Sequence, residues 1–252
     1  MDLHLTGRTA LVTGGSRGIG RAVVEALAAE GATVAFCARS ADGVRTAEKE
    51  MRDAGHDVHG ATVDVTDGEA LATWVRESAS SHGGIDAVVA NVSALAIPST
   101  EENWTAGFTT DLLGTVRLVE AALPALEESD AGAIVAISSV SGREIDFAAG
   151  PYGTFKGAIV HYVQGLAHQL AGRVRANTVS PGNVYFPGGV WENIESGNPE
   201  LFAHALGLNP TGRMATPEEV ARAVVFLASP AATFISGTNL VVDGALTRGV
   251  QL

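Results

Sequence analysis

The chain has 252 residues, 46% of them apolar and 17% charged, with a formal net charge of −12 and an isoelectric point near 4.9. That much apolar material builds a large core and excludes wholesale disorder, while the acidic balance excludes nucleic acid as a general partner and disfavours anionic membrane surfaces. The one cysteine, Cys37, excludes an internal disulfide and reads as a small buried hydrophobe, and no uncharged apolar run reaches the length of about 18 residues that a membrane span needs.

Short apolar runs alternate with helically spaced ones along the chain. Met1-Asp2-Leu3-His4 lacks the basic region and apolar run of a secretory leader, so the cytoplasm is the expected location. Residues 9–12 form an apolar run ending in glycines, and 21–30 carry Val23, Val24 and Leu27 at helical spacing. A second strand is expected over 33–37, a polar helix over 41–54 ended by Gly55, and a third strand over 58–63. Asp67 reads as the N-cap of a helix to about residue 81. A strand over 85–90 precedes a mostly helical stretch over 101–126, which Pro124 is expected to kink or stop. A strand over 133–137, a helix over 152–170 and a strand over 175–179 follow. Pro217 opens a helix to about residue 228, and 240–242 form the last strand. Residues 181–216 are the least regular stretch, with short helical patterns around 190–194 and 201–206.

Seven buried strands alternating with helices imply an α/β architecture: a doubly wound parallel sheet with helices on both faces. Residues 1–252 read as a single domain without repeat or linker.

Thr13-Gly14-Gly15-Ser16-Arg17-Gly18-Ile19-Gly20 lies at the first strand-to-helix turn. Glycines there let the backbone approach a pyrophosphate, which the helix N-terminus attracts. The loop thus assigns Gly14, Ser16, Arg17, Gly18, Ile19 and Gly20 to a dinucleotide. After the second strand there is no carboxylate to take a free ribose hydroxyl; Arg39 stands there instead, and Arg17 offers a second positive charge. The pair favours NADP over NAD. Asp64-Val65, after the third strand, reads equally as an adenine contact or as a helix-initiating aspartate.

Tyr152 and Lys156 are four apart on one helix, and Ser139 follows a strand whose carboxyl end lines the same cleft. A phenol is a poor proton exchanger near neutrality unless a neighbouring cation favours the phenolate. Tyr152 is therefore expected to be the general acid in reduction and the base in oxidation. Lys156 would support it and hold the nicotinamide ribose, and Ser139 would bind the substrate oxygen.

These segments resemble a short-chain dehydrogenase/reductase along essentially the whole chain. The resemblance is carried by the 13–20 glycine loop, by Ser139 thirteen residues before the Tyr152-x-x-x-Lys156 motif, and by Ser180-Pro181-Gly182. Ser236-Gly237 and Val241-Val242-Asp243-Gly244 add to it. It implies a seven-stranded Rossmann sheet, hydride transfer with NAD(P), and a homotetramer or homodimer built on the Tyr152 helix and the C-terminal region. It implies cofactor contacts from Asn91, Pro181, Gly182 and Val184 besides Tyr152 and Lys156. Three positions depart from the family pattern. Asn-Asn-Ala-Gly reads Ala90-Asn91-Val92-Ser93, the catalytic asparagine is replaced by Asp111, and the threonine after Pro-Gly is replaced by Phe186.

On the substrate side, residues 183–216 resemble the family's lid. Tyr185, Phe186, Trp191 and Phe202 read either as an apolar pocket wall or as anchors, and Ala94, Leu95, Ile97, Ile145 and Phe147 as further pocket residues. His161 and His168 read as surface or interface residues, and no metal set is visible. The expected activity is NADP-dependent hydride transfer to a mostly apolar ketone, a 3-oxoacyl thioester or a cyclic ketone. The alternatives are an NAD-dependent alcohol dehydrogenase and, from another class, a non-catalytic dinucleotide-binding regulator.

Overall fold

The computed structural model describes residues 1–249. Strands β1 (Thr9–Thr13), β2 (Thr33–Ala38), β3 (Val58–Thr62), β4 (Ala87–Ala90), β5 (Ala133–Ile137), β6 (Arg175–Pro181) and β7 (Asn239–Val242) form one sheet. Every pairing is parallel, in the order β3-β2-β1-β4-β5-β6-β7. The strand order reverses between β1 and β4, and a crevice opens there beyond the carboxyl ends of the strands.

The period-two alternation of the strands sends side chains to two cores. Ala10, Val12, Val89 and Val135 face α1 (Gly18–Ala29), α2 (Ala41–Asp53) and α9 (Pro217–Ala228), through Val23, Leu27, Met51 and Val224. Leu11, Val88, Ile134 and Ala136 face α3 (Gly68–His82), α5 (Leu113–Glu128) and α6 (Pro151–Gln169), through Leu71, Leu118 and Ile159. Cys37 lies wholly buried in the second core, and desolvation pushes its thiol up to about 12. The expectation that all seven strands are buried holds for the central five only. The edge strands β3 and β7 are mostly half-buried, because each has one neighbour.

Local chemistry sets the helix starts. The Asp67 carboxylate accepts the Glu69 and Ala70 N–H groups, a cap worth about 1 kcal/mol. Thr216 and Glu219 form a capping box around Pro217. Two expectations need correction. Pro124 does not stop α5, which runs to Glu128. Leu118, Val119, Ala122 and Leu126 continue its buried face across the proline, and their burial offsets a cost of about 3 kcal/mol. The break lies upstream, where α4 (Glu101–Ala106) passes into a π-helical turn, Gly107–Leu112, before α5. The irregular 181–216 stretch contains two regular helices, α7 (Val190–Gly197) and α8 (Pro199–Leu208), each longer than the sequence pattern showed.

Candidate active site

A cleft of about 620 Å³ follows the crevice, a size typical of ligand sites. Its lining includes Gly14, Ser16, Arg17, Gly18, Ile19, Gly20, Arg39, Asp64, Val65, Asn91, Ser139, Tyr152, Lys156, Pro181, Gly182 and Val184. Asp111 alone among the anticipated site residues stands behind the wall, against Lys156.

The glycine loop is held from two sides. Gly14 and Gly15 N–H donate to the Cys37 carbonyl at 2.7 and 3.2 Å. Asn91 Nδ2 donates to the Thr13 and Gly14 carbonyls, and Asn91 N–H to Thr13 Oγ1. Gly14 and Gly18 have φ of +71° and +54°, a region that favours glycine. Arg17 is the N-cap of α1 without a side-chain cap, so the first amides of that helix are left for a ligand. This cradle fits a dinucleotide pyrophosphate.

Arg39 is exposed at the end of β2, with no carboxylate from that strand beside it. Arg17 leans the other way, donating to the Gly188 carbonyl at 3.3 Å. Ser40 caps α2 through the Gly43 amide, and both residues line the same end of the cleft. Sequence reading passed over them, although a serine directly after Arg39 at a strand-to-helix turn was a usable signal. Asp64 does not start the helix that follows, since Asp67 caps α3 at Gly68, so of its two readings the one as a cleft residue is left. Oδ1 accepts the Thr66 amide and hydroxyl, and the residue also lines the cleft. Burial alone would raise its pKa, but those bonds and the charge of Arg39 leave the carboxyl below its usual range.

At the other end, α6 begins at Pro151 and presents Tyr152 and Lys156 one turn apart, with Lys156 Nζ 5.6 Å from the Tyr152 ring centroid. Lys156 is buried, donating to the Ile137 carbonyl at 3.1 Å and lying 3.3 Å from Asp111 Oδ2. Ser139 Oγ accepts the Ser141 amide, and among the described residues its own hydroxyl proton is uncommitted. Asn183 O and Tyr185 N both bond Ala215, so Val184 keeps its own N–H and C=O free of that bridge. Phe186 does not sit at that bridge; its ring lies over Gly18 and Gly189.

The substrate-side expectations divide. Leu95, Ile97, Phe147, Phe186 and Trp191 line the cleft, joined by Val140, Val190 and Ile194. Tyr185 and Phe202 instead pack around Trp191 as anchors. Ile145 is almost fully exposed, and the Ala94 amide turns inward to Asp111. His161 and His168 lie on the exposed face of α6.

Residues 14–247 match the family described as enoyl-(acyl carrier protein) reductase. The chain is 39% identical to the isoepoxydon dehydrogenase of Penicillium expansum, over 98% of this chain and 97% of that one. It is 32% identical to the 3-oxoacyl-[acyl-carrier-protein] reductase of Vibrio cholerae, over 97% and 99%. It superimposes on the crystal structure of a putative short-chain dehydrogenase/reductase from Burkholderia xenovorans with a TM-score of 0.91 and 31% identity, over 96% and 97% of the two chains. A parallel seven-stranded sheet with a glycine cradle, matched end to end by named dehydrogenases and reductases, settles the family: the chain belongs to the short-chain dehydrogenases/reductases, oxidoreductases whose members bind NAD or NADP.

Proposed function

We propose that the protein is an NADP-dependent carbonyl reductase and alcohol dehydrogenase in which Tyr152 moves the proton. The observation that carries this reading is the convergence of Ser139, Tyr152 and Lys156 at the carboxyl end of β5, on the cleft that the glycine loop closes at its far end. The cofactor, when bound, supplies the hydride in reduction and accepts it in oxidation. Ser139 donates a hydrogen bond to the substrate oxygen, Tyr152 gives that oxygen its proton, and the Lys156 ammonium favours the phenolate left behind. In oxidation the same groups run backwards, and Tyr152 takes the hydroxyl proton. Val184 offers its backbone N–H and C=O to the carboxamide. Residues 183–216, clamped at their base by the Ala215 bonds, act as the lid.

The NADP preference rests on Arg39 and on the lack of a carboxylate at the end of β2. Fluorescence titration is expected to show NADPH binding at least about tenfold more tightly than NADH, the size of one lost charge-assisted contact. Arg39→Asp is expected to reverse the order. Equal binding of both cofactors by the wild type would overturn the preference.

The charges of the cleft narrow the substrate. Its basic residues are Arg17 and Arg39 in the cofactor half and Lys156 beside Tyr152. The substrate half carries Leu95, Ile97, Phe147, Trp191 and Ile194, and its one charged side chain, Asp146, is committed to the Ser141 hydroxyl and the Ala148 amide. From residue 176 to 212 there is no Lys or Arg, while Glu192, Glu195 and Glu200 stand on α7 and α8. Nothing there receives a carboxylate or phosphate, so the substrate is a neutral, compact ketone or alcohol. The isoepoxydon dehydrogenase relative makes a compound of the kind its name states the first to try. In a panel of neutral cyclic ketones against coenzyme A thioesters, kcat/KM is expected to favour the neutral compounds by about 100-fold, the cost of leaving an anion unpaired. Preference for the thioesters would defeat this assignment and leave the hydride chemistry intact.

The same reading includes a cytoplasmic homo-oligomer. Trp104 on α4 and Phe108 on the π-helical turn are half-exposed beside Phe155 of α6, and Phe234 is fully exposed shortly before β7, which supports interfaces on those surfaces. Among the described residues no helix is long and apolar enough to cross a membrane.

A further inference from the structure

We infer that Ser93 is a positioning residue for the catalytic lysine, acting through Asp111; this rests on the assignment of Lys156 as the support of Tyr152.

Asp111 sits on the π-helical turn with its side chain 3% exposed, matching Lys156. Its two carboxylate oxygens meet three donors. Oδ1 accepts the Ala94 amide at 2.7 Å. Oδ2 accepts the Ser93 hydroxyl at 2.5 Å and faces Lys156 Nζ at 3.3 Å. Ser93 Oγ in turn accepts the Leu95 amide at 3.1 Å, and Leu95 has φ of +50° at the start of the substrate wall. One polar chain therefore runs from the wall through Ser93 and Asp111 to Lys156, whose remaining bond is to the Ile137 carbonyl.

The donor count explains why residues 93 and 111 belong together. A carboxylate is an acceptor at both oxygens; a carboxamide is an acceptor at one and a donor at the other. Asparagine at 111 would turn an NH₂ toward the Lys156 ammonium and the Ser93 hydroxyl, or else toward the Ala94 amide. Either way a donor faces a donor in a buried site. Glycine at 93 would remove the hydroxyl that shares Oδ2 with the ammonium and would free the Leu95 amide. The two departures from the family pattern at these positions are thus the two ends of one hydrogen bond.

The test is a double-mutant cycle with Ser93→Gly, Asp111→Asn and the pair, plus Ser93→Thr as the variant that keeps a hydroxyl. For each protein, kcat, the KM for NADPH and ketone, and Tm are measured. Ser93→Gly is expected to lower kcat about tenfold with KM for NADPH unchanged, and Ser93→Thr to restore most of the loss. Asp111→Asn is expected to cost at least as much, and the double variant to be less impaired than the product of the single losses. Losses that simply multiply, or a Ser93→Gly enzyme as active as the wild type, would overturn the inference. If Asp111→Asn fails to fold, the comparison of Ser93→Gly with Ser93→Thr still decides: equal activities refute the role of the hydroxyl. A Tyr152→Phe enzyme at full rate would instead refute the underlying assignment, so the two failures are distinguishable.

Discussion

Tyr152→Phe is expected to lower kcat by about 10³-fold, within the range supplied by a positioned general acid or base, while NADPH still binds as in the wild type. The substitution keeps the ring and removes only the hydroxyl. Tyr152 is partly buried at the first turn of α6, where Pro151 at the helix start is itself buried and fixes the approach of the chain. Lys156 is held independently, by the Ile137 carbonyl and Asp111, so it keeps its place when the phenol oxygen is gone. The loss therefore belongs to the chemical step and not to the fold. The measurement is NADPH oxidation with a neutral ketone, beside a fluorescence titration and a thermal melt of the same variant. A rate within a few-fold of the wild type would show that the proton comes from elsewhere. Unaltered NADPH binding with turnover lost would place Tyr152 on the proton path.

Much of this was legible in the chain because the relevant signals are local. Strand and helix periods, the glycine spacing and the four-residue step from Tyr152 to Lys156 each lie within one element, and together they predicted the doubly wound parallel sheet and the residues that line its cleft. What escaped was set by packing between elements. The buried face of α5 overrides Pro124, and the π-helical turn that aims Asp111 has no marker in the sequence. Arg17 and Arg39 looked equivalent as charges, but Arg17 is drawn to Gly188, far along the chain. The aromatics of 185–202 could be counted but not sorted: Trp191 faces the cleft, whereas Tyr185 and Phe202 hold it from behind. Ser93 reads as a changed glycine until its hydroxyl is seen to reach Asp111 from eighteen residues away.

Gly20→Ala is expected to damage both the fold and cofactor binding, although it adds one methyl group to a helix. In general that exchange stabilises a helix interior by up to about 1 kcal/mol. At Gly20 the new Cβ would fall far inside van der Waals contact of the Gly14 carbonyl oxygen and Asn91 Nδ2, with the Gly14 carbonyl carbon at 2.8 Å. None of these can give way cheaply. Gly14 is in the left-handed region at φ +71° and is pinned by its amide to Cys37 O, and Asn91 Nδ2 is committed to two carbonyls. The loop must move away from α1, which opens the cradle and misaligns the uncapped amides. Overpacking of this kind costs about 1–3 kcal/mol, a fall in Tm of roughly 2–12 °C for a chain of this size, and NADPH affinity is expected to drop by about 100-fold as the loop amides lose register. Gly165→Ala is the control, since nothing lies within 4 Å of a Cβ added there, in the last third of α6. It is expected to leave binding unchanged and to raise Tm slightly. If both variants melt and bind alike, the close approach of α1 to the glycine loop is not what shapes the cofactor site; if only Gly20→Ala falls, the spacing of the loop is set by the backbone contact between Gly20 and Gly14.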